Sequence, residues 1–378
     1  MTSLPPLHIV GAGLAGLTLA RCLKSRGIQA VIFEKNPSPA KHNYGITLQP
    51  RTCQALLKVL GTDAHSFCRR VAVDSSMDGK GIVSLKEKPG PETGILQSPF
   101  RAHCGRLESV LREELKIEWG HVLDHVSIGG AELVLEFNDK EKAHSKFIIN
   151  TSGVHWRVKK AFRPQPDLNV LPYVCFRGTR SIDGQTFKDI YQSNFNGGNV
   201  IETKRDHTLL QIWINDYQKN LEAVDISYVY SRPTRDNDHL HRPGRAPRES
   251  TDISKAFFDE VSQLSALEQS FRDAFDGEKI KKDRILHLMR TSLTSLEDLI
   301  DFMKMGLVCL GDSAHAMPIL GGEGANFAVE DAVLFAESIL SAARMEEIYK
   351  ERYSEWENEL KESEKRLREM HSAEKSVL

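Results

Sequence analysis

The 378 residues carry 50 Lys and Arg against 52 Asp and Glu, a formal net charge of -2 with a pI near 6.7. That balance gives no global pull toward nucleic acid or an anionic membrane, and no run of about 18 apolar residues marks a membrane span. The length suits two domains rather than one small core. Cys22, Cys53, Cys68, Cys104, Cys175 and Cys309 include no C-x-x-C pair. This argues against a zinc site and a disulfide framework and for reduced, packed thiols. Residues 1–10 run straight into a strand without a signal pattern, so the expectation is a soluble, cytoplasmic protein.

Residues 7–34, LHIVGAGLAGLTLARCLKSRGIQAVIFE, predict a strand over Leu7 to Val10, a helix to about Arg26 and a strand over Gln29 to Glu34. In this βαβ unit Gly11, Gly13 and Gly16 form G-x-G-x-x-G. Gly11 makes the tight turn, Gly13 admits a pyrophosphate and Gly16 lets helix and strand pack closely. Glu34 stands about 20 residues on, the spacing of a carboxylate that accepts hydrogen bonds from a ribose diol. An adenine dinucleotide is implied, without a choice between a nicotinamide dinucleotide and FAD.

After a loose stretch from Asn36, Gly45 to Leu48 reads as extended. Pro50 to Leu60 reads as a helix with Pro in its first turn. Residues 71–99 hold two weak strand signals, around Gly79 and Gly81, and the polar loop KEKPGPETG. Apolar positions 107, 110, 111 and 115 predict a helix over Arg106 to Leu115. Residues 121–150 predict a β-meander turning at Gly129-Gly130 and ending in the strand Phe147 to Ile149. Three alternating segments over 168–232, YVCFRGTRSI, HTLLQIWIND and DISYVYSRP, predict an antiparallel sheet. From that alternation Phe176, Gln211 and Trp213 are candidate substrate contacts. Residues 233–252 read either as a solvated loop or as a lid whose arginines meet the phosphates of a nicotinamide.

Two short helices, about 254–264 and 266–276, and a strand near Arg284 to Met289 lead to GLVCLGDSAHAMPILGGEGANFAVEDA at 306–332. Leu307 to Leu310 reads as a buried strand, and a glycine-rich loop then feeds a helix from about Ala325. Loop glycines admit a ligand, and the helix N-terminus favours an anion. Asp312, at the strand's end, is placed to accept hydrogen bonds from ligand hydroxyls. Paired with 7–34, this stretch reads as the second half of one FAD site. His315 follows a motif whose role is structural, so a general-base role is not assigned. The helix continues over Phe327 to Ala343, and a charged helix spans 346–373. Along it Tyr349, Tyr353, Trp356, Leu360, Ser363, Leu367 and Met370 form a narrow seam that docks on the body of the protein.

With both motifs in view, the chain resembles the class A flavoprotein monooxygenases, the family of para-hydroxybenzoate hydroxylase. In GDSAHAMPILGGEGANFAVEDA it is similar to the salicylate-hydroxylase-like fungal enzymes and the tetracycline-inactivating monooxygenases. The resemblance covers nearly the whole chain. It implies an α/β fold in which a Rossmann-like FAD-binding domain (1–70, 100–165 and 284–345) is interleaved with an antiparallel-sheet substrate domain (71–99 and 166–283), followed by a C-terminal helix (346–378). It further implies that Gly11, Gly13, Gly16, Glu34, Gly45, Arg106, Asp312, Pro318, Gly324, Ala325 and Asn326 bind FAD. NADPH or NADH would serve as cosubstrate, with no metal. One atom of dioxygen would pass through a flavin hydroperoxide to an aromatic or natural-product small molecule, hydroxylation being the first choice. Epoxidation or Baeyer-Villiger oxidation, or a flavin-binding protein without turnover, are the alternatives. A monomer or weak homodimer is expected.

Two motifs depart from the family. The middle motif, usually Asp-Gly followed by Ser and Arg, appears as NTSGVHWRVKK, with Ser152, Trp156 and Lys159 in the three places. Cys104 stands where relatives carry an arginine near the flavin, and Arg106 or Arg101 is the expected substitute.

Overall fold

The computed structural model describes residues 6–83, 96–130, 132–154, 158–163, 168–244, 253–287 and 289–372. The polar loop KEKPGPETG, His155, Trp156 and residues 245–252 lie outside the described residues.

A five-stranded parallel sheet runs in the order Leu307–Cys309, Ile148–Asn150, Leu7–Val10, Ala30–Glu34, Ile117–Trp119. Its central strands are apolar on both faces, with Ile9, Ile32, Ile148, Ile149 and Val308 buried, as a sheet covered on both sides requires. The helices Leu14–Ser25 and Gly324–Ser338 pack together. Gly11, Glu34, Thr151 and Leu310 all lie at or just beyond the carboxyl ends of these strands, where open α/β sheets leave a ligand crevice. The meander is a separate three-stranded antiparallel sheet, Leu123–Gly129, Glu132–Phe137, Ala143–Ser145.

The second large element is an antiparallel sheet in the order Val200–Arg205, Thr208–Tyr217, Ala223–Pro233, Tyr173–Asp183, Arg284–His287. Arg284–His287 thus pairs with this sheet, although the sequence division set it on the cofactor side of a boundary at 284. Alternation sorts the sheet's faces. Val174, Phe176, Ile212, Ile214, Tyr228 and Tyr230 pack on Phe257, Val261 and Phe271 of the helices behind. Cys175, Leu209 and Val229 face the other way, toward Leu320 and Leu367. A small sheet of Leu168–Val170, Arg290–Leu293 and His315–Ala316 joins the two halves.

The final helix, Ala342–Met370, begins on a Ser341 cap and buries Tyr349, Trp356, Ser363 and Leu367, so the narrow seam docks on the body. All six cysteines are free and buried. Among the described residues, no helix is long and apolar enough to cross a membrane.

Candidate functional site

A cavity of about 590 Å³ follows the carboxyl edge of the parallel sheet and is lined by Gly11, Gly13, Glu34, His42, Tyr44, Cys104, Glu108, Arg112, Ser152 and Asp312, among others. Gly11 has φ +108°, and a Cβ there would sit 2.5 Å from the Thr151 carbonyl oxygen. Gly13 has nothing within 4 Å of a built Cβ, so its backbone is open to the cavity. The helix that follows has no side-chain cap, which leaves its first N–H groups and dipole for an anion. Glu34 accepts the Ala12 N–H at 2.8 Å and the Asn36 N–H at 3.0 Å, holding the turn and the carboxylate together. Gly16 lies outside the cavity lining. A Cβ there would meet the Gly11 carbonyl oxygen at 2.2 Å and Thr151 Oγ1 at 2.6 Å, so its part is close packing.

A larger cavity, of about 990 Å³, lies between the antiparallel sheet and the loop 316–326 and is lined by Gly45, Arg101, Arg177, Gln211, Trp213, Asp312, Pro318, Gly324, Ala325 and Asn326, among others. The two cavities share Tyr44, Ile46, Asp312, Gly324 and Ala325 in their walls, so they adjoin along that seam. The helix Gly324–Ser338 also starts without a side-chain cap. Asn326 accepts the Gln49 N–H at 2.8 Å and donates to the Thr47 carbonyl at 3.2 Å. It thereby ties this helix to the strand Gly45–Leu48. Asp312 is exposed where the two cavities meet, with protein packed closely around it. Burial raises its carboxyl above the usual range, opposed by nearby His315.

Two expected contacts fall elsewhere. Arg106 lines neither cavity; it donates to the carbonyls of Ala72 (2.8 Å) and Val73 (3.3 Å) and pairs with Asp216 at 3.0 Å. Helix phase is the reason: on Cys104–Arg112 the cavity face is Cys104, Glu108 and Arg112, spaced by four, and residue 106 points away. Arg101 lines the larger cavity instead. Phe176 is buried on the back of the sheet, stacked on Phe257 with centroids 4.0 Å apart. The strand's phase sends its neighbour Arg177 to the cavity, where Gln211 and Trp213 also stand.

Sequence reading missed a cluster in the smaller cavity. His42 Nδ1 lies 2.8 Å from Glu108 Oε2, and with Cys104 Sγ the three ligand-type atoms lie within 4.8 Å of one another. The Glu108 hydrogen bond raises the His42 pKa, while burial pushes the Cys104 thiol up to about 12. His42 and Cys104 stand 62 positions apart in the chain, so no spacing could have signalled this. In the altered middle motif, Ser152 donates to Asn150 Oδ1 at 2.7 Å and Lys159 donates to Thr294 Oγ1 at 2.9 Å.

His315 lines neither cavity. Its Nε2 lies 2.6 Å from Asp331 Oδ2, both side chains fully buried, and the imidazole packs on Trp356 with centroids 4.4 Å apart and the rings tilted by 30°. Arg352 Nε and Trp356 Nε1 donate to the other Asp331 oxygen at 2.8 and 3.3 Å. This cluster fastens the last two helices to the loop.

The residues fit FAD on observations of this fold: two uncapped helix N-termini for anionic groups, a glycine turn that a Cβ would block, and carboxylates at each half for hydroxyls. The family described as FAD binding domain matches residues 5–79 and 204–356, more than half of the chain. The FAD-dependent monooxygenase adaC of Aspergillus niger is 28% identical over 353 residues, covering 89% of this chain and 84% of that one. The FAD-dependent monooxygenase nscC of Arthroderma benhamiae is 27% identical over 350 residues, covering 88% and 84%. Among solved structures, 2,6-dihydroxypyridine-3-hydroxylase of Arthrobacter nicotinovorans superposes with a TM-score of 0.70 at 16% identity, covering 98% of this chain and 95% of that one. Tetracycline destructase Tet(55) gives 0.65 at 16%, covering 100% and 91%. The chain belongs to the FAD binding domain family and, within it, to the FAD-dependent monooxygenases.

Proposed function

We propose that this protein uses NADPH or NADH and dioxygen to hydroxylate an aromatic or natural-product small molecule. The observation that carries the reading is the adjoining pair of cavities: one follows the dinucleotide-type turn, and the other opens onto an aromatic and cationic sheet face. FAD bound there would accept a hydride and deliver one atom of dioxygen, chemistry that belongs to the cofactor. The chain's part is to bind, orient and exclude water. Gly11, Gly13 and Glu34 would hold the pyrophosphate and adenosine ribose, Asp312 the ribityl hydroxyls, and Gly45, Pro318 and the backbone of Gly324, Ala325 and Asn326 the ring system. Residues 1–70, 100–165 and 288–345 would form the cofactor half, and the antiparallel sheet the substrate half. The walls of the larger cavity, Met370 of the last helix among them, would keep bulk water from the reacting centre. The six buried free thiols suit a reducing cytoplasm, the near-neutral charge gives no general pull toward nucleic acid or anionic membranes, and a monomer or weak homodimer is the proposed state.

The test is oxidation of NADPH and NADH by the FAD-loaded protein under air, with and without multi-ring phenols. Substrate-accelerated oxidation with a hydroxylated product supports the reading. FAD binding with no acceleration by any compound would favour a flavin-binding protein without turnover.

A further inference from the structure

The wall of the smaller cavity holds a group of metal-ligand side chains to which the cofactor reading gives no role: His42, Cys104 and Glu108. They offer an imidazole nitrogen, a thiol sulfur and a carboxylate oxygen, all within 4.8 Å of one another. Backbone bonds bring them together. The Gly105 N–H donates to the His42 carbonyl at 3.2 Å and the Cys104 N–H to the Tyr44 carbonyl at 2.9 Å, which clamps segment 42–44 onto the first turn of the helix Cys104–Arg112. A Cβ at Gly105 would stand 2.5 Å from the His42 carbonyl oxygen, so the clamp needs glycine there. Cys104 and Glu108, four residues apart, share one face of that helix.

Glu108 is 4% exposed, and its partners are the His42 imidazole at 2.8 Å and the Cys104 thiol. Among the described residues no Lys or Arg pairs with it, whereas the buried Asp331 has Arg352 and Trp356 besides His315. A buried carboxylate is costly without a compensating charge. Cys104 is 2% exposed, but the His42 side chain is 39% exposed, so an ion in the cavity enters past the imidazole. A tetrahedral Zn2+ with bonds of about 2.0–2.3 Å holds its N, O and S ligand atoms about 3.3–3.6 Å apart. Side-chain shifts of about 1 Å would close the cluster to that spacing. Thiolate with imidazole selects a borderline cation over Mg2+ or Ca2+, which take oxygen ligands.

We propose that His42 Nδ1, Cys104 Sγ and one Glu108 carboxylate oxygen bind a borderline divalent cation such as Zn2+, with the fourth tetrahedral position open to the smaller cavity. The imidazole binds neutral, with its proton on Nε2. The sulfur–metal bond forms as the S–H bond breaks and its proton passes to solvent, with no change of oxidation state. Cys104 completes the set: an arginine in its place would bring its own positive charge to Glu108, whereas the thiol leaves that charge to be supplied by an ion. The site does not rest on the functional reading, because it belongs to the chain without FAD.

The test is titration of the full-length, FAD-free, metal-stripped protein with Cd2+, read by its sulfur-to-metal charge-transfer absorption, followed by challenge with Zn2+ and Mg2+. The wild type should saturate at a single Cd2+ per chain; Zn2+ should remove the band and Mg2+ should not. Cys104→Ala should abolish the band, and His42→Asn and Glu108→Gln should each weaken Cd2+ binding about tenfold or more. Zn2+ should also raise the melting temperature of the wild type, as a ligand of the folded state does, and leave that of Cys104→Ala unchanged. No saturable band in the wild type overturns the site. So does a band that persists in Cys104→Ala, which would belong to another thiol, or unchanged affinity in both His42→Asn and Glu108→Gln, which would mean a thiol adduct alone. If circular dichroism shows a variant unfolded, the visible spectrum of Co2+ on the wild type decides: intense tetrahedral bands support the site, and weak octahedral ones overturn it. A parallel FAD titration of the same protein judges the functional reading separately.

Discussion

Arg366, on the last helix, donates its Nε–H to the carbonyl of Gly321 at 2.6 Å. Gly321 has φ +72°, and a Cβ there would stand 3.3 Å from Arg366 Cβ and from the Ser363 carbonyl. The C-terminal helix therefore presses directly on the glycine loop that walls the larger cavity. Arg366→Ala is expected to lower stability by about 1–2 kcal/mol, the cost of a lost charged hydrogen bond, and to weaken FAD binding several-fold. Urea unfolding and an FAD titration measure the two. Unchanged FAD affinity would disconnect the helix from the cofactor loop.

The glycines of the first turn separate folding from binding. A methyl at residue 13 meets open space and an extended backbone, whereas one at residue 16 meets the Gly11 carbonyl oxygen at 2.2 Å. Gly13→Ala should therefore change stability by less than about 1 kcal/mol yet weaken FAD at least tenfold. Gly16→Ala should cost about 2 kcal/mol or more through overpacking. Circular dichroism melts beside FAD titrations give both values, and equal loss of stability in the two variants would contradict this division.

The sequence made the cofactor half legible because its signals are local. The glycine turn, Glu34 and the strand before Asp312 each sit within a few residues of the backbone feature they serve. The substrate half was less legible, since facing depends on strand phase. Phe176 and Arg177 are adjacent, and only the pairing with Ala223–Pro233 decides which meets the cavity. Arg106 was misplaced by a similar turn of helix phase. The strands Val200–Arg205 and Ile117–Trp119 and the helix Ala64–Val71 escaped because their patterns are short and polar, and tertiary packing holds them in place.

Asp331 joins three groups, His315, Arg352 and Trp356, with no water-exposed side-chain surface of its own. Asp331→Asn weakens the bonds from His315 and Trp356 and leaves Arg352 to Glu355 and to Glu330 at 3.9 Å, and is expected to cost about 1–3 kcal/mol. Denaturant midpoints check the loss. A near-neutral result would mean that the network is dispensable and would reopen a chemical role for His315.

His103 caps the helix Cys104–Arg112 by accepting the Arg106 N–H at 3.1 Å. Burial, and then Arg106, push its pKa from 6.5 down to about 4. The unfolded chain takes up a proton as pH falls below 6.5, while the folded chain resists until about 4. Stability should therefore fall across that window, by up to about 3 kcal/mol, and be level above it with respect to this group. His103→Asn keeps a capping side chain and should remove most of that slope in urea unfolding followed from pH 7 to 4. An unchanged slope would assign the acid sensitivity to other groups.

In the proposed function the glycine turn at 11–16 and the loop around Asp312 hold the two ends of a single FAD. The most direct test is titration of the FAD-free protein with FAD, followed by flavin fluorescence, for the wild type and Asp312→Ala. The account predicts saturation at a single FAD per chain, with affinity at least tenfold weaker in the variant, as loss of a carboxylate acceptor implies. Absence of saturable FAD binding by the wild type, or equal affinity in Asp312→Ala, would contradict it.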